Sequence, residues 1–173
     1  MFWSDPGTSF VYRDYSQAEA RVVAYLARCK GLIELFEDPN RDVHTENAAR
    51  IFGHAIAKLE KNGGSVTATQ RYLAKRVVHA CNYGMGADRL VEVVNEDAAV
   101  TGIRLVKAQA KQLIDRYFML YPEIIQVFWK EVENALRYTR TLNTPFGRKR
   151  MFFGRWDDKL LREAYSYIPQ STC

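Results

Sequence analysis

The stretch "RYLAKRVVHACNYGMG", residues 71 to 86, decides how the rest of the chain reads. Arg71, Lys75, His79 and Tyr83 stand four apart, so at 3.6 residues per turn each lies about 40° round from the last. They form one slowly winding stripe. Leu73, Ala74, Val77, Val78 and Cys81 take the opposite side, as an amphipathic helix requires. The spacing predicts a helix over about Ala68 to Tyr83, closed by Gly84 and Gly86. Two cations one turn apart, followed by a ring nitrogen and an aromatic, suit a triphosphate with its sugar and base. A solvated basic face has the same spacing, so both readings stand here. A solvated face, however, does not need His and Tyr leading into Gly-Met-Gly.

Upstream, "RDYSQAEARVVAYLA" (residues 13–27) follows a turn at Asp5-Pro6-Gly7 and a strand expected through Ser9–Arg13. Ser16-Gln17-Ala18-Glu19 has the form of a capping box, with Ser16 as cap and Glu19 reaching back, and predicts a helix over Ser16 to Arg28. Read so, Glu19 is local and Asp14 is an acid in a turn. The other reading makes Asp14 a metal ligand and Glu19 part of a nucleotide pocket. Further helices are expected over Leu32–Phe36, from Thr45 to Gly53, around Val91–Val94, over Leu105–Leu120, Glu123–Tyr138 and Asp157–Tyr167. Residues 54–68 read as loop. "TRTLNTPFGRKRMFF" reads as two short strands about a Pro145-Phe146-Gly147 turn. The expected class is α+β, predominantly helical, with a helical insert interrupting a small antiparallel sheet.

Composition sets the bounds. The 173 residues fit one domain with a real core, and 47% hydrophobic with 26% charged residues argues against disorder. A net charge of +5 suits a polyanionic partner without requiring one. Cys29, Cys81 and Cys173 are few, odd in number and without zinc spacing, which points to a reducing, cytoplasmic setting. No apolar run approaches a membrane span, and no membrane partner is expected.

Taken together, the segments resemble DNA polymerase family A, the group of bacterial DNA polymerase I and many phage replicases. "DYSQAEAR" is similar to that family's first palm motif and "RYLAKRVVHACNYG" to its fingers helix. "DVHTENAARIFG" matches an Asp-x-His segment, "TPFGRKR" a Gly-Arg hairpin, and "REAYSYIPQST" a later Arg…Gln helix. Five motifs stand in family order. The resemblance implies palm over residues 1–30, fingers over 31–138, and palm hairpin and helix over 139–173. It implies that Asp14, with the Tyr15 carbonyl, ligates Mg²⁺, and that Gln17 and Tyr83 line the nucleotide pocket. Glu19 would exclude a 2′-hydroxyl. His44, Arg71 and Lys75 would hold the triphosphate, and Lys75 would also protonate the pyrophosphate. Arg148, Arg162 and Gln170 would touch the primer–template. The implied partners are DNA and deoxynucleoside triphosphates, and the implied cofactor is Mg²⁺, two ions in the complete enzyme.

Two departures carry expectations of their own. His79 stands where the family carries Phe or Tyr, and it adds a titratable donor near the sugar. The family's second metal-binding acid, in a His-Asp-Glu motif, falls beyond "PQSTC". Asp157-Asp158 fits no family motif. The expectation is a fragment, inactive alone: a truncated frame, a split gene, or one half of a polymerase completed by a second chain. A non-catalytic nucleotide- or DNA-binding module is the other reading.

Overall fold

The structure, a computed structural model, describes residues 5–11, 15–53 and 66–173. Nine α-helices, one π-helix and a two-stranded hairpin make up its regular elements among those residues. The helices are α1 (Ala18–Leu26), α2 (Lys30–Glu37), α3 (Val43–Phe52), α4 (Ala68–Asn82) and α5 (Ala87–Glu96). Then come α6 (Ala98–Thr101), α7 (Lys107–Leu120), the π-helix Ile124–Trp129, α8 (Lys130–Thr139) and α9 (Asp158–Thr172). Strands β1 (Thr141–Asn143) and β2 (Lys149–Met151) pair antiparallel, with Leu142 opposite Arg150. The class is α+β and predominantly helical, as expected.

Helix α4 forms as its pattern predicts. Leu73, Ala74, Val77, Val78 and Cys81 are all buried, and Arg71, Lys75 and His79 are exposed. A reciprocal capping box starts it: Gln70 N donates to Thr67 Oγ1 at 3.2 Å, and Thr67 N donates to Gln70 Oε1 at 3.0 Å. Helix α3 is enclosed on nearly every side. It packs most closely on α4 and also meets α7. Its buried Asn47 accepts from Tyr121 Oη at 2.6 Å, which satisfies a carbonyl that would otherwise be stranded in the core. Helix α1 lies on α9, α2, the π-helix and α4, and so ties the first segment of the chain to the last.

Three expectations need correction. The Ser16–Glu19 capping box does not form. Gln17 occupies the N-cap position with a left-handed backbone (φ 55°) and no side chain caps it. A capping residue needs extended geometry, and the Glu19 carboxylate is engaged elsewhere. The strand expected over residues 9–13 is not present at 9–11, and residues 12 and 13 lie outside the described ones. The last helix runs to Thr172 rather than Tyr167, passing through Pro169. A proline removes a backbone donor and crowds the carbonyl four residues back; here it is buried, on a helix packed against α1. Asp157, which fits no family motif, is the N-cap of this helix and accepts from Leu160 N at 2.8 Å.

Candidate nucleotide site

The exposed stripe of α4 faces α1. A cleft of about 380 Å³ between them is lined by Tyr15, Gln17, Glu19, His44, Lys75, His79 and Tyr83, with Asn82 and Cys173 at its margin. Residues from 15 to 173 thus meet at one place because α4 and α9 pack on α1 and α3 packs on α4.

Glu19 is half-buried in the first turn of α1, and Tyr83 Oη donates to it. Burial, and then that carboxylate, push the Tyr83 hydroxyl far above its ordinary range, so it stays a donor at any working pH. The pair fixes the acid at the mouth of the cleft. His79, one turn earlier on α4, sets its ring edge-on to Tyr83, with centroids 5.1 Å apart and planes at 88°. The two rings make one wall.

His44 is buried at the start of α3. Burial lowers its pKa, Asp42 opposes that, and Arg71 and Lys75 reinforce it. The imidazole is therefore neutral near pH 7. Its Nδ1 and the Gln17 Oε1 are both buried without a hydrogen-bond partner among the described residues. Two such atoms on one cleft are open to a ligand's polar groups. Lys75 is exposed on the cleft and has no carboxylate partner among the described residues.

Arg71 differs from Lys75. Its Nε and Nη2 donate to Asp42 Oδ2 and Oδ1 at 2.7 and 3.2 Å, a two-pronged pair. Asp42 also caps α3, accepting from Thr45 N at 3.2 Å and from Thr45 Oγ1 at 2.5 Å. Arg71 therefore stands beside the cleft rather than on its lining. Asp42, within the quoted Asp-x-His segment, is the residue that the sequence reading passed over. It is 29 positions from Arg71, and no periodicity links them.

Burial raises the Asp42 carboxyl, but Arg71 and Thr45 outweigh it and hold it at about 2. A depressed folded-state value stabilises above the ordinary value of 3.8 and is lost as the pH falls towards 2. With Arg71 half-exposed, the contribution is about 1–2 kcal/mol. Urea unfolding across pH should find wild type ahead of Asp42→Asn by that amount at pH 6, and level with it near pH 2. A gap that persists at pH 2 would assign the effect to the cap rather than the charge.

Asp14 lies outside the described residues. Tyr15, exposed, lines the cleft. Among the described residues no group of three His, Cys, Asp or Glu side chains is gathered to hold a cation. Arg162, on α9, lines a second cleft of about 440 Å³ with Tyr83, Met85 and Ser166, so it reaches the far end of α4. Gly84 turns the chain there with φ 70°, and a Cβ on it would come within 3.1 Å of the Tyr165 ring. Arg148 is held in the hairpin turn, its amide donating to Thr144 Oγ1 at 3.1 Å and its side chain exposed. Gln170 is exposed near the end of α9 and lines neither cleft.

The cleft thus sets a cation-bearing stripe on α4 against a carboxylate-bearing helix, α1. The profile described as DNA polymerase family A matches residues 1–166, and the chain belongs to that family. It is 33% identical over 153 residues to DNA polymerase I of Chloroflexus aurantiacus, covering 87% of this chain and 14% of that protein. It is also 33% identical over 151 residues to thermostable DNA polymerase I of Thermus aquaticus, covering 86% and 16%. This chain thus spans about one-seventh of the length of such relatives. Its fold is similar to that of part of the POL domain of Pol1 from M. smegmatis, solved in complex with DNA primer-template and dNTP. That match has a TM-score of 0.67 and 24% identity, over 91% of this chain and 25% of that one.

Proposed function

We propose that this chain carries the nucleotide-binding surface of a template-directed DNA polymerase, which transfers a deoxynucleotidyl unit to a primer 3′-hydroxyl. The observation that carries the reading is the convergence of Glu19, His44, Lys75, His79 and Tyr83, from three helices, on one cleft. Residues 1–30 and 139–173 are then palm and 31–138 fingers. The relatives' names and the primer-template and dNTP held by the M. smegmatis structure support the partners assigned, DNA and deoxynucleoside triphosphates.

In this reading Lys75 and neutral His44 meet the phosphates, and Arg71 adds charge from beside them. Lys75 also donates the proton that the leaving pyrophosphate takes up. The His79–Tyr83 wall flanks sugar and base. Glu19, fixed by Tyr83, occupies the space a 2′-hydroxyl would need, so it selects by repulsion. Arg148, Arg162 and Gln170 face the primer–template. Asp14 and the Tyr15 carbonyl would hold Mg²⁺, hard oxygen donors for a hard cation that polarises phosphoryl oxygens. A second acid would come from polypeptide outside these 173 residues, in the same chain or a partner.

The test is selectivity in binding. Calorimetric titration with dATP and ATP should give preference to dATP in the wild type. Glu19→Ala should narrow that preference by about tenfold, the scale of one extra group in a fitted pocket. An unchanged preference in the folded variant would remove Glu19 from the sugar, and a chain that binds neither nucleotide would remove the cleft from the account.

A further inference from the structure

Arg71 and Lys75 stand one turn apart on the same stripe of α4, yet they are held differently. Lys75 has no carboxylate partner among the described residues, whereas Asp42 grips Arg71 at 2.7 and 3.2 Å. Asp42 is thus an anion at the rim of the place assigned to phosphates. Its charge acts on His44, two residues on, against the charges of Arg71 and Lys75. An anion there opposes the binding of another anion, and capping α3 does not require it. Asn or Ser caps a helix as well as Asp does. What the charge alone provides is the hold on the Arg71 guanidinium.

The pair is built so that it can open. The Arg71 and Asp42 side chains are 48% and 28% exposed, so the guanidinium can turn away without movement of the backbone. Asp42 is not stranded when it does. Its Oδ2 keeps the Thr45 amide at 3.2 Å and the Thr45 hydroxyl at 2.5 Å. A carboxylate that still accepts two hydrogen bonds and is partly in water escapes the penalty of a lone buried charge.

The stripe also sets which phosphate can open it. Lys75 lies one step along α4 from His79, and Arg71 one step further, at about 6 Å per four residues. With sugar and base at the His79–Tyr83 wall, Arg71 is at the far end and meets only the terminal phosphate. Two oxygens of that phosphate present the same two-pronged acceptor as a carboxylate, with more charge.

We propose that Asp42 is a positioning residue that holds Arg71 beside the empty cleft and yields it to the terminal phosphate of a deoxynucleoside triphosphate. The inference rests on the cleft being a triphosphate site. When that phosphate leaves, Asp42 takes the guanidinium back. A nucleoside monophosphate leaves the pair closed. Each triphosphate has to displace the carboxylate, so Asp42 weakens triphosphate binding by what the pair is worth.

Calorimetric titration with dATP and dAMP tests this on the 173-residue chain, with circular dichroism as the check on folding. Asp42→Asn keeps a cap for α3 and removes the charge. It should raise dATP affinity about three- to tenfold, the range of a partly exposed ion pair, and leave dAMP affinity unchanged. The rise should vanish when both proteins also carry Arg71→Gln, because the effect runs through Arg71. An equal rise without Arg71 would overturn the proposal in favour of plain charge repulsion. A fall in dATP affinity would overturn it too, since Asp42 would then brace Arg71 against the phosphate rather than compete for it. In the wild type, the ¹⁵N resonance of Arg71 Nε, assigned by its loss in Arg71→Lys, should move with dATP and stay with dAMP. A resonance unmoved at saturating dATP contradicts the exchange. Binding of dATP that is indifferent to Asp42→Asn removes the exchange alone, whereas no dATP binding in either protein removes the cleft reading and the exchange with it.

Discussion

Lys75→Ala is expected to lower this chain's affinity for a deoxynucleoside triphosphate by about 10- to 100-fold while barely changing that for the parent nucleoside. Lys75 lies exposed on the cleft beside buried His44, with no carboxylate partner among the described residues. Its charge is therefore available to the phosphates. One hydrogen bond to a charged group is worth about 1.5–3 kcal/mol, which sets the fold-change. Arg71→Ala should behave differently. Its guanidinium already sits on Asp42, so part of its charge is spent within the protein. Its loss should cost less affinity than Lys75 and more stability, because a partly buried carboxylate is left without its partner. Calorimetry with a triphosphate and its nucleoside, and urea unfolding of each variant, separate these outcomes. Equal triphosphate and nucleoside losses in Lys75→Ala would mean that it supports the cleft wall rather than the phosphates. No loss at all would return the stripe to a solvated face.

Phe128→Ala should destabilise the fold by about 3–5 kcal/mol, the range for removing a buried aromatic ring. Phe128 is 2% exposed in the π-helix, which packs on α1 and α8. A domain is held by about 5–15 kcal/mol in all, so this variant should be marginal at room temperature. The π-helix that holds Phe128 packs on α1, and α1 carries Glu19. Nucleotide affinity at low temperature should therefore fall with stability. Val100→Ala, on the exposed helix α6, is the matched control and should stay within about 0.5 kcal/mol of wild type. A small loss at Phe128 in urea unfolding would mean that the core closes around the vacancy.

What was legible in the sequence follows from range. The buried face of α4, the closing glycines and the Tyr83 end of the stripe are set by spacings of three and four residues, and they appear as read. The hairpin is marked by its own Pro-Phe-Gly turn. What was not legible depends on partners far along the chain. Glu19 has the spacing of a capping-box acid, but Tyr83, 64 positions away, offers a hydroxyl that takes its carboxylate. Arg71 reads as a free cation until α3 brings Asp42 against it. The π-helical start of the segment at Ile124 leaves no mark in an apolar run, and burial carries α9 through a proline that usually ends a helix. Asp14, the residue on which the metal reading rests, lies outside the described residues.

The most direct measurement is a crystal structure of this chain soaked with a deoxynucleoside triphosphate. The account predicts phosphate oxygens within hydrogen-bond reach of Lys75 Nζ and His44, the sugar's C2′ against Glu19, and the base beside the His79–Tyr83 wall. A triphosphate seated on the hairpin arginines, with the cleft between α1 and α4 vacant, would contradict it.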